Sequence, residues 1–205
     1  MFNPRLERVV VAAGSNLFGR GHHRLFGTGD LVKKTFGAPP AYRRLTSTDL
    51  YWVASEAAAN RTFLRSHPDV HHEYFVEDDD DQQQDLKKFF IKSFFGDTCE
   101  GPPLHSHGGL TAAILDEAMG TSCWANKISV MTREFTIKYN KPVLLNREIH
   151  GEAFIERIDG RQVKTCGSLY YPESPGTPLV EATGVFLVLD ESTKQKMRGW
   201  SKVKM

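Results

Sequence analysis

No apolar run in this 205-residue chain is long enough to cross a bilayer as a helix. Neither sign of charge prevails: 26 Lys and Arg stand against 25 Asp and Glu, for a formal net charge of +1. That balance provides no global field to draw the protein to nucleic acid or to an anionic membrane. Cysteine is scarce. Cys99, Cys123 and Cys166 are odd in number and form no C-x-x-C pair. This argues against a disulfide or zinc framework and for reduced thiols in an intracellular compartment, cytoplasmic or mitochondrial. No G-x-S-x-G elbow is present, which excludes the serine nucleophile that such an elbow carries. The acidic run Glu77-Asp78-Asp79-Asp80-Asp81 lacks the spacing and the glycine of an EF-hand loop, so it reads as a solvated loop and not as a calcium site.

What remains is an ordinary globular composition, 40% apolar and 25% charged, with enough length for one domain and its core. Residues 1–46 read as a flexible, glycine-interrupted arm. Arg5, Arg8, Arg20 and Arg24 with few acids also fit a mitochondrial presequence, and targeting stays open between the two. Residues 47–72 read as an accessory helix and linker. Ser47-Thr48-Asp49 is an N-cap cluster, Leu50, Trp52, Val53, Ala57 and Phe63-Leu64 fall near helical spacing, and His67-Pro68 ends the run. His71-His72, without acidic partners, is given no role.

Residues 73–190 carry the domain. Glu73–Val76 and Lys87–Phe95 read as two strands. An apolar helix follows, from Leu110 to about Ala125. Four more strands come after it: Ser129–Tyr139, Glu148–Ile158, Gln162–Tyr171 and Leu179–Asp190. Asp159-Gly160 is a hairpin turn signal. One apolar helix among antiparallel strands implies an α+β fold in which a sheet wraps the helix. Residues 191–205 form a polar tail, with Lys194 to Trp200 a candidate helix.

The chain is organised around Glu100-Gly101-Pro102-Pro103-Leu104-His105-Ser106-His107-Gly108-Gly109. A Pro-Pro turn delivers a histidine and two glycines to the helix start. The first N–H groups of a helix lack partners inside it, and its dipole is positive there. Glycine removes the Cβ that would hold a ligand away, so the Gly108 and Gly109 amides are candidates for holding an oxyanion. Asp116 lies about two turns further on. It shares a small-residue face with Gly109, Ala112 and Gly120, while Glu117 points away. A solvated surface acid and a functional carboxylate are equally good readings of Asp116 from spacing alone. His105-Ser106-His107 has no third ligand or acid nearby, which argues against a metal site.

His107-Gly108-Gly109, Asp116 nine positions after the histidine, Ala118-Met119-Gly120, Val130-Met131-Thr132 and Tyr139-Asn140-Lys141-Pro142-Val143 together resemble the signature of hotdog-fold acyl-CoA thioesterases. The PaaI-like branch, with its "thioesterase superfamily member" proteins, is the best match. The resemblance covers about Glu73 to Asp190. It implies the hotdog fold, a thioester hydrolase without cofactor or metal, and an acyl-CoA or acyl-carrier-protein thioester as substrate. It also implies a homodimer or dimer of dimers, with the pocket between subunits and Asp116 and the glycine amides drawn from different protomers.

By the same resemblance, Asp116 is general base or nucleophile, Gly108 and Gly109 hold the oxyanion, and Thr132 orients the carboxylate or the water. His107 bonds the thioester region or holds the loop. Lys138, Lys141 or Arg147 would suit the CoA phosphates. The readings left beside this one are a carrier-protein thioesterase, a hotdog hydratase or dehydratase, and a non-catalytic thioester-binding protein.

Overall fold

The computed structural model describes residues 36–45, 63–77 and 86–202, without the side chains of 197–202. Seven strands occur among them: β1 (Tyr42–Arg44), β2 (Val70–Glu77), β3 (Phe89–Phe95), β4 (Val130–Tyr139), β5 (Glu148–Asp159), β6 (Gln162–Tyr170) and β7 (Val180–Val188). Three α-helices accompany them: α1 (Phe63–Ser66), α2 (Gly108–Ala125) and α3 (Glu191–Lys202). The strands form one sheet in the order β1-β2-β3-β5-β6-β7-β4, with every neighbouring pair antiparallel.

Period-two burial decides which face each strand turns inward. Along β3, Phe89, Ile91, Ser93 and Phe95 are buried, and the residues between them are only half-buried. Their cross-strand partners follow suit: Tyr74 of β2 is opposite Ile91, and Ile149 of β5 is opposite Ser93. The β5–β6 hairpin turns where the sequence signals it. Its strands end and restart at Asp159 and Gln162, and Gly160 takes a left-handed φ of 57° that glycine adopts without strain.

Against the inner face lies α2. Its Ile114, Leu115, Ala118, Met119 and Cys123 have no solvent exposure. A helix apolar nearly all round must be buried nearly all round, and the sheet curving about it satisfies that demand. This is the hotdog arrangement. Ile114→Ala should lower stability by about 2–5 kcal/mol through lost burial and a residual cavity. The check is the denaturant midpoint at unchanged slope. No helix among the described residues is long and apolar enough to cross a membrane.

Some boundaries differ from the sequence reading. Residues 42–44, assigned to the arm, form β1 and pair with Glu77, Val76 and Phe75 of β2. Strand β2 starts at Val70, so His71 and His72 lie within it and the sheet begins before residue 73. Helix α2 starts at Gly108, not Leu110, because capping by His107 recruits both glycines into the first turn. The tail from Glu191 is helical to Lys202. Within the expected accessory helix, residues 63–66 are helical; 46–62, like 1–35 and 78–85 with most of the acidic run, lie outside the described residues.

The cysteines are free. Cys99 and Cys123 are buried and Cys166 is half-buried. Burial pushes all three thiols up, Cys123 to about 12.

Candidate active site

The approach to α2 is a tight backbone return. Gly101 N–H donates to the His105 carbonyl at 2.9 Å, and His107 N–H to the Cys99 carbonyl at 2.9 Å. Between them Leu104 adopts a left-handed φ of 65°, costly for a branched residue. Its N–H is held by Glu100 Oε1 at 2.6 Å. Position 101 must be glycine: a Cβ there would stand 2.8 Å from the His107 Cα. His105 faces its own loop, with Nδ1–H donating to the Pro103 carbonyl at 2.7 Å. Among the described residues no group of three or more His, Cys, Asp or Glu is placed to hold a metal.

His107 is the N-cap of α2. Its extended backbone and side chain let Nδ1 accept from Gly109 N–H at 3.0 Å. This corrects one expectation. The helix end is not bare at both glycines, because the Gly109 amide is committed to the imidazole. The Gly108 N–H meets no acceptor among the described residues. A Cβ on Gly109 would lie 3.0 Å from His107 Nδ1, so a side chain there would press on the capping ring. Since Nδ1 accepts, the neutral ring carries its proton on Nε2, a second donor beside the Gly108 amide.

Two turns along, Asp116 is half-buried on α2. Thr132 Oγ1 donates to its Oδ1 at 2.9 Å. Thr132 faces the helix because it pairs with buried Phe186 of β7, and the register slips just after it, between Thr132 and Glu134. Such a bulge re-aims the neighbouring side chains. Burial raises the Asp116 pKa, the Thr132 bond opposes it, and the Glu117 charge adds to the rise. Glu117 leaves the other side of the helix. It accepts from Tyr74 Oη at 3.0 Å and lies 3.6 Å from His72 Nε2.

Gly108 and Asp116 are eight residues apart on one helix, which separates their Cα atoms by about 12 Å. The Asp side chain spans only part of that distance. The structure thus brings Asp116 to Thr132, and His107 to Gly108 and Gly109, as two separate groups on one chain.

Tyr139 escaped the sequence reading except as a motif letter. Its hydroxyl donates to the Gly108 carbonyl at 2.8 Å. Seven residues beyond Thr132, it comes to the Thr132 face only through the register shift in β4, so strand alternation alone carries no signal for it. Of the basic residues considered for phosphate, Arg147 pairs with Glu173 and stacks over Tyr171 at 3.7 Å. Lys138 lies 3.8 Å from Glu181.

Residues 105–171 match the model of the thioesterase superfamily. This segment is similar to that superfamily. It holds His107, Gly108, Gly109, Asp116, Thr132 and Tyr139 together. Acyl-coenzyme A thioesterase THEM4 of Xenopus laevis is 33% identical over 95 residues, 46% of this chain and 42% of that one. The Mus musculus THEM4 is 31% identical over 91 residues, 44% and 39% of the two chains. The chain thus spans less than half the length of these curated relatives. Among solved structures, a hypothetical thioesterase of Streptococcus pneumoniae with coenzyme A has a TM-score of 0.48 at 16% identity, covering 56% of this chain and 87% of that one. The E. coli PaaI protein has a TM-score of 0.47 at 11% identity, covering 50% and 73%.

Proposed function

We propose that this thioesterase-superfamily chain hydrolyses acyl thioesters of the acyl-CoA class. The observation that carries the reading is a half-buried carboxylate, Asp116, oriented by Thr132 on a helix whose first amide, Gly108 N–H, has no acceptor among the described residues. The relatives' names as acyl-coenzyme A thioesterases support the substrate class. In this reading Asp116 takes a proton from water as the water oxygen bonds the thioester carbon. The carbonyl oxygen becomes an oxyanion, held by Gly108 N–H and His107 Nε2–H. Collapse breaks the C–S bond, and the thiolate recovers the proton from Asp116. One turnover in ¹⁸O-water tests the route: attack by water labels only the released acid, and label in the enzyme carboxyl, from direct attack by Asp116 and opening of the anhydride at the Asp carbonyl, would overturn it.

Groups separated by about 12 Å along one helix cannot both reach one carbonyl, where reacting atoms stand roughly 3–3.5 Å apart. The reading therefore needs a second copy, whose helix start faces the Asp116 of the first. Strand β4 is terminal in the sheet, with Met131 54% and Tyr139 51% exposed, so its free edge suits such a copy. Sedimentation should give a dimer or a dimer of dimers, and a monomer that retains full turnover would overturn this arrangement.

The acid side of the pH–kcat/KM profile should titrate above an ordinary aspartate, since Asp116 must be ionised and burial raises its pKa. Thr132→Val removes the bond that favours the ionised form. It should move that limb to still higher pH, read by free-thiol release from about pH 4 to 8.

A further inference from the structure

The peptide between Gly108 and Gly109 is held at both ends. Its carbonyl accepts from Tyr139 Oη at 2.8 Å and from Thr111 Oγ1 at 2.8 Å. Its N–H, that of Gly109, donates to His107 Nδ1 at 3.0 Å. We propose that Tyr139 is a positioning residue. Its hydroxyl, acting through the Gly108–Gly109 peptide, sets the tautomer and orientation of the His107 ring, so that Nε2–H faces outward as a donor. This rests on the reading of His107 as an oxyanion donor.

In the single chain Tyr139 is 51% exposed at the sheet edge, where water could satisfy its O–H without any protein partner. Instead the ring lies against Gly108: a Cβ at that position would be 3.4 Å from Tyr139 Oη and 3.5 Å from Cε1 and Cζ. A carbonyl that accepts a hydroxyl hydrogen bond polarises its peptide, which strengthens donation by the N–H at the other end. The stronger the Gly109 bond to Nδ1, the more firmly the proton is confined to Nε2. Thr111 shares the carbonyl from within the helix; Tyr139 reaches it from β4. The relay thereby ties the helix start to the strand that carries Thr132.

The test combines Tyr139→Phe, which removes one oxygen from an exposed ring, with ¹⁵N-imidazole histidine labelling of the full chain. His107→Gln identifies the His107 signals among the eight histidines. Wild type should show His107 as the Nε2–H tautomer. Tyr139→Phe should raise the share of the other tautomer and lower kcat by about three- to tenfold with KM within about twofold. The double variant with Thr111→Val should deepen both effects. An unchanged tautomer signal in Tyr139→Phe overturns the proposal, whether or not kcat falls. The tautomer readout needs no substrate, so a wild type that releases no thiol from any acyl-CoA would sink the functional reading and leave the relay decided by the spectra.

Discussion

Asp116→Asn is expected to lower kcat for thiol release by about 10²–10⁴-fold, with KM little changed. Asparagine keeps the shape and can still accept from Thr132 through its amide oxygen, so the variant removes the base and little else. Stability gives an independent check. Burial raises the Asp116 pKa above its unfolded value. The folded state then holds the proton more tightly, so this group's effect on stability turns unfavourable as pH rises through the interval between the two values, and stays so above it. At neutral pH Asp116→Asn should therefore melt no lower than wild type, and the difference should vanish in acid below both values. A variant that keeps wild-type turnover would end the role assigned to Asp116.

Gly101→Ala should lower kcat/KM by about 10²-fold, the effect of a displacement of roughly 1 Å in a reacting group. Its Cβ would meet the His107 Cα at 2.8 Å. That atom is backbone and cannot rotate away. The loop must shift, and His107 and the Gly108 amide shift with it. The two variants together probe the two-chain site. Asp116→Asn spoils the carboxylate of one half-site, and Gly101→Ala spoils the donors of the other. In a two-fold symmetric pair, a mixed dimer has one site with both lesions and one with neither. Equal mixing with subunit exchange should therefore restore roughly a quarter of wild-type activity, and no recovery is expected if each chain acts alone.

Much of the fold was legible because its signals are local. The alternation along Phe89–Phe95, the turn at Asp159-Gly160 and the apolar run from Leu110 each settle a segment by its own periodicity. Strand β1 was not legible: three residues, Tyr42–Arg44, are too short for any period, and only pairing with β2 makes them a strand. In the site, Asp116 was named from its spacing after the glycines and Thr132 from the family resemblance alone, while their 2.9 Å bond depends on a bulge that no spacing rule gives. The Gly109 amide was expected to be open, yet it is closed by the side chain two residues before it, a competition between ligand and local cap that composition does not reveal. Tyr139 went unassigned because its partner is a backbone carbonyl, to which sequence patterns are blind.

The three cysteines have a practical consequence at the bench. Disulfide-exchange dyes react with thiolate, and burial holds Cys99, Cys123 and Cys166 in the protonated form. In the folded state the protein should therefore contribute a slow, faint blank to a colorimetric assay that counts liberated coenzyme A. The same dye becomes a clock for unfolding, since the Cys123 sulfhydryl, with no solvent exposure, appears only when the helix leaves the sheet.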